Sequence, residues 1–131
     1  MRFHVTSKEG PARRAKQLHK FLVAAGYESR LTRCQRLVAM MMGYRDWTDM
    51  HAYMGLADPS LGDAFVSERE CETRRERHVA VLVEAGIEVG DAEAAVDAVG
   101  PTNYGEARER DDDDADADFV AEWGLRPTSR R

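Results

Sequence analysis

The chain has 131 residues, 43% of them apolar and 33% charged, a length that suits one domain or two small lobes. No run approaches the ~18 apolar residues of a membrane span, and residues 1–7 lack the apolar core of a secretory signal, so a cytoplasmic protein off the membrane is expected. The formal net charge of −5 is uneven: residues 1–57 hold ten Lys/Arg against four Asp/Glu, residues 58–131 nine against twenty.

Glycines punctuate the chain. Gly26, Gly43, Gly55, Gly86 and Gly100 each follow an apolar-periodic stretch, and glycine accepts the left-handed conformation that ends a helix. Five helices are predicted. The first covers residues 12–25, with Pro11 in its first turn and a stripe of Ala15, Leu18, Leu22 and Ala25. The second covers residues 33–42 and opens through Thr32 as N-cap; Cys34, Leu37, Val38 and Met41 share one face, with Arg33 and Arg36 on others. The third covers residues 47–54 and is capped by Asp46. Asp58-Pro59-Ser60 and Gly62 then interrupt the pattern and suggest a lobe boundary.

The fourth helix covers residues 68–85. Ser67 and Glu70 have capping-box spacing, and Glu70–Arg74 and Glu72–Arg75 are candidate ion pairs. Its charged first half reads as solvated, with His78 at the boundary, and its second half, Val79, Val81, Leu82, Val83 and Ala85, as buried. The fifth covers residues 92–99 behind Asp91 as cap. Leu22-Val23-Ala24-Ala25-Gly26 echoes Leu82-Val83-Glu84-Ala85-Gly86, as a duplicated hairpin or a shared C-cap would. Residues 106–118 are nearly all charged and include Asp111, Asp112, Asp113 and Asp114; an extended, mobile segment is expected there. Phe119, Val120, Trp123 and Leu125 follow as a short amphipathic helix expected to dock on the core, then a loose basic tail.

The expected fold is therefore all-α: a basic three-helix lobe over residues 1–57, a helical hairpin over 58–105 packed on it, and an acidic segment with a C-terminal amphipathic helix over 106–131. No metal or cofactor is expected. The histidines His4, His19, His51 and His78 are scattered, Cys34 and Cys71 belong to no CxxC, and no phosphate loop or nucleophile elbow occurs. Cys34 reads as a small buried hydrophobe; the alternative is a thiol with a lowered pKa beside Arg33 and Arg36. Arg30, Arg33, Arg36 and Arg45 are candidate nucleic-acid contacts of a helix-turn-helix formed by the first two helices, with Tyr27, Tyr44 and Trp47 as stacking candidates.

Gly43-Tyr44-Arg45-Asp46-Trp47 explains itself physically. Gly43 ends one helix, Tyr44 packs back against it, Asp46 opens the next, and Trp47 anchors the third helix to the first two. These residues, with Ala15-Lys16-Gln17-Leu18 before them and Arg77-His78-Val79-Ala80-Val81-Leu82 after, resemble the glyoxalase-related protein domain, a small helical module of bacterial chromosomes and plasmids. The resemblance covers residues 12–102 and implies the helical fold and the G-[FY]-x-[DN]-W motif. Thr32 and Cys34 stand where the family has serines, and this second helix is more basic. The strands and metal ligands of a glyoxalase are not legible here, so the resemblance carries fold and motif, not catalysis.

The expected function is a non-catalytic protein-binding or regulatory module, from a mobile element, with Asp111 to Asp114, Phe119 and Trp123 as partner contacts. Two alternatives stand beside it. One is nucleic-acid binding through the four arginines; the other is an acidic mimic of nucleic acid that inhibits a host defence complex.

Overall fold

The computed structural model describes residues 2–104. It is all-α: α1 (Glu9–Ala24), α2 (Leu31–Met41), α3 (Trp47–Tyr53), α4 (Glu68–Glu84) and α5 (Val89–Val99), with a 3-10 turn at Asp63–Phe65 and no strand among the described residues. α1 and α2 form one hairpin, α4 and α5 a second. α1 packs on α5, α2 on α4, and α3 on α2. All share one buried cluster, in which Leu18, Leu22, Met41, Met42, Met50 and Leu82 are almost wholly enclosed. Each such side chain contributes roughly 1.5–3 kcal/mol.

The glycine stops are where the sequence puts them. Gly26, Gly43 and Gly86 take φ of 96°, 97° and 100°. At each, the following amide donates back five residues: Tyr27 to Leu22, Tyr44 to Ala39, Ile87 to Leu82. This is the Schellman closure, and it makes the two echoing hairpin ends alike in detail. Asp46 accepts from the Asp49 amide and Ser67 from the Glu70 amide, as expected of caps.

Several boundaries move. α1 starts at Glu9, three residues early, because Pro11 falls among first-turn positions whose N–H groups need no helical partner. α2 starts at Leu31, so Thr32 is helical and exposed rather than the cap; extended Arg30 is the N-cap residue and its carbonyl accepts from Cys34. α5 starts at Val89. Glu88 is its cap, accepting from the Gly90 and Asp91 amides, and Asp91 instead accepts from the Tyr27 hydroxyl.

The reading of α4 also needs correction. Arg74 and His78 in its charged half are buried, and Val83 in its apolar half is exposed. Residues 74, 78 and 82 form the inward stripe, with four-residue spacing. Glu70 does pair with Arg74, whereas Arg75 turns from Glu72 to a two-pronged pair with Asp97 of α5. Ala25, expected on the stripe of α1, is exposed.

Candidate functional site

The arginines at the start of α2 differ in exposure. Arg30 and Arg36 are exposed. Arg33 is not available in the same way: its Nη2 donates to the Ala85 carbonyl at 2.5 Å, at the end of α4. A guanidinium there satisfies a helix C-terminal carbonyl and suits the dipole. Tyr27 completes the join, donating to Asp91 Oδ2 at 2.6 Å and accepting from the Glu88 amide at 3.1 Å. The bond to Asp91 raises the tyrosine's pKa above its ordinary value. Arg36 faces a groove of about 260 Å³ between α2 and α4, with Leu37, Met40, Val81 and Glu84. Arg45 is exposed in the α2–α3 turn, roughly 16 Å of helix away from Arg30. Arg33 lines one hollow with Arg30 and another with Arg36, while Arg45 lies beyond the far end of α2.

Gly43 closes α2 at a φ of 97°, and Asp46 caps α3 by accepting from the Asp49 amide. Tyr44 is buried, its hydroxyl donates to the Phe3 carbonyl at 3.1 Å, and burial raises its pKa. Trp47 is half-buried against the core, its ring tilted by 47° to that of His51 with centroids 5.5 Å apart. Cys34 is wholly buried and in contact with Ser29 Oγ at 3.2 Å, which also meets His19 Nδ1 at 3.1 Å. Burial pushes the thiol up; the Ser29 bond and the Arg33 charge oppose this and do not prevail. The packing reading of Cys34 stands, and the lowered-pKa alternative does not.

Two clusters go beyond the sequence reading, which held only the Glu70–Arg74 pair of the second. Arg14, 3% exposed, donates from Nε to Gly100 O, from Nη1 to Gly10 O and from Nη2 to Asn103 O, at 3.0, 3.1 and 2.9 Å. Its guanidinium also lies 3.8 Å from the Tyr104 ring centroid. It ties α1 to the end of α5. Arg74 donates to Asp63 Oδ1 at 2.9 Å and to Glu70 Oε2 at 3.1 Å, and Thr102 Oγ1 also donates to Asp63 Oδ1, at 2.8 Å. Beside them burial holds His78 down at a pKa of about 4.

The third feature is the connection from α3 to α4. Its backbone is fastened on both sides: Gly55 N–H donates to Val5 O, Ser60 N–H to His4 O, and Asp63 N–H to Thr102 O. At Gly62 the backbone passes so close to Tyr104 that a Cβ would lie 1.5 Å from its carbonyl oxygen. Yet Leu56, Leu61 and Phe65 on this fastened segment are 73%, 60% and 54% exposed. Next to it, a hollow of about 390 Å³ opens between the N-terminal segment and α1, lined by His4, Glu9, Arg13, Pro59 and Ser60 among others. Leu56, Leu61 and Phe65 thus point outward from a fastened backbone, and Pro59 and Ser60 of the same segment line the hollow.

Asp111, Asp112, Asp113, Asp114, Phe119 and Trp123 lie outside the described residues. Among the described residues, no three His, Cys, Asp or Glu side chains gather as a metal site, and no helix is long and apolar enough to cross a membrane. Comparisons of the chain with protein-family models, with curated proteins and with solved structures find no match.

Proposed function

We propose that this chain is a non-catalytic helical module that binds another protein through the α3–α4 connection. The observation that carries the reading is the exposure of Leu56, Leu61 and Phe65 on a backbone fastened to residues 4, 5 and 102. A fixed backbone loses little further entropy on binding, and apolar anchors surrounded by polar groups supply most of an interface's affinity. The likeness to the glyoxalase-related domain is part of the same proposal, resting on Gly43-Tyr44-Arg45-Asp46-Trp47. Origin in a mobile element is part of it too.

The test compares affinity capture from the native host by the parent and by a Leu56→Ser, Leu61→Ser, Phe65→Ser triple variant. These side chains face water, so the triple variant is expected to melt with the parent and to lose one specific protein that the parent retains. Identical captured sets from parent and variant would end the proposal.

A second reading, nucleic-acid binding, is favoured by the exposure of Arg30 and Arg36 around a helix start that carries no acid in its first turn. It predicts a salt-sensitive gel shift that Arg30→Glu with Arg36→Glu abolishes. No shift at low salt for the parent would reject it. The mimicry reading rests on residues 111–118, and deletion of that stretch with capture unchanged would reject it.

A further inference from the structure

We infer that the groove between α2 and α4 is the contact face of a twofold dimer, in which α2 of each copy lies against α4 of the other. The inference does not depend on the α3–α4 connection or on what that segment binds. The groove has an apolar floor and walls of opposite charge. Leu37, Met40 and Val81 form the floor, Leu37 buried and the other two half-buried, while Arg36 stands on the α2 wall and Glu84 on the α4 wall. Both charged side chains are exposed, and among the described residues no ion pair joins them. The neighbouring sequence repeats the contrast. Residues 30–41 hold Arg30, Arg33 and Arg36 and no acid, whereas residues 79–88 hold Glu84 and Glu88 and no lysine or arginine.

The two helices run antiparallel. Arg33 meets Ala85 at one end of the pair, and Met41 shares a small crevice with Arg74 and His78 at the other. A half-turn about the line of the groove therefore sets the basic wall of one copy over the acidic wall of the second, and the acidic over the basic at the same level. Arg36 of each copy then meets Glu84 of the other, and Met40 meets Val81 between these two contacts. Other occupants match less of the groove. A polyphosphate or an acidic peptide that reaches Arg36 is repelled by Glu84, and a basic peptide by Arg33 and Arg36. A second copy carries the reversed pattern of charge with nothing further required. The floor is small, so the dimer is weak and forms as protein concentration rises.

The experiment is sedimentation velocity of the full chain over a range of protein concentration. At low salt the parent is expected to pass from monomer to dimer, and to return towards monomer in molar salt, where the Debye length is about 3 Å. Arg36→Glu alone and Glu84→Arg alone each set like charges together at two related contacts, and each should weaken the dimer about tenfold with helical circular dichroism unchanged. The two single variants mixed should associate again, because each supplies the charge that the other lacks. A variant with both changes should also dimerise, since its walls are merely exchanged. The Leu56→Ser, Leu61→Ser, Phe65→Ser protein should dimerise like the parent, which separates this face from the α3–α4 connection. A parent that stays monomeric at every concentration overturns the inference. So do single variants that associate like the parent, a mixture that stays apart, loss of the dimer in the triple variant, and assemblies that grow past two copies, which would mean a head-to-tail contact.

Discussion

His78 allows the packing of α4 to be tested through pH. The side chain is 3% exposed and faces Arg74 and Arg77 on its own helix, with Asp63 across the gap and Met41, Met42 and Thr102 around it. Burial is the largest cause that lowers its pKa from 6.5 to about 4; the Asp63 charge raises it, and Arg74 and Arg77 lower it further. The gap corresponds to about 3 kcal/mol. In the unfolded chain the imidazole takes up its proton as pH falls through 6.5, whereas in the folded protein it does so only near 4. The unfolded state therefore binds more protons across that window, and stability falls as pH drops from about 6.5 towards about 4. Urea denaturation followed by far-ultraviolet circular dichroism at several pH values measures the effect. His78→Met keeps similar bulk and removes the titration. The parent should lose about 3 kcal/mol more than His78→Met over the window. Parallel pH profiles for the two proteins, or an NMR titration placing His78 near 6.5, would refute the reasoning.

Further outcomes follow from the fasteners between hairpins. Arg14→Met leaves three main-chain carbonyls without their shared donor. Hydrogen bonds to charged donors are worth about 1.5–3 kcal/mol and are not additive, so a loss of about 3 kcal/mol in chemical denaturation is expected. Arg14→Lys should recover only part of it, because one ammonium cannot reproduce the planar fork. Gly62→Ala should cost more than Gly55→Ala in thermal melts. Gly62 has an ordinary φ of −70° but no room beside Tyr104, whereas Gly55 at +78° has open space and carries only backbone strain of about 1 kcal/mol.

What the sequence made legible was local. Helix ends at Gly26, Gly43 and Gly86 and the caps Asp46 and Ser67 follow from residues within five positions of one another. Thr32 and Asp91 have the same cap chemistry and do not act as caps. α2 begins one residue earlier than Thr32, and Glu88 takes the first amides of α5 while Asp91 is held by Tyr27, 64 residues away. The long-range fasteners were out of reach for a related reason. Arg14 meets acceptors 86 and 89 residues distant, and a long basic side chain beside an apolar stripe reads as a solvated flank until those carbonyls are in place. A signal was nonetheless present in α4, where residues 74, 78 and 82 have the four-residue spacing of a buried stripe despite their polar chemistry. The exposed Leu56, Leu61 and Phe65 fall in a segment without periodicity, so burial there could be judged only from the fold.

A helical module fastened from within differs from a phosphate-reading helix chiefly in the task of Arg33. Denaturation of Arg33→Gln beside Arg36→Gln tests this most directly. The bond from Arg33 to the Ala85 carbonyl predicts a loss of about 1.5–3 kcal/mol for the first variant and less than about 0.5 kcal/mol for the second. Equal stability of the two variants would contradict the account.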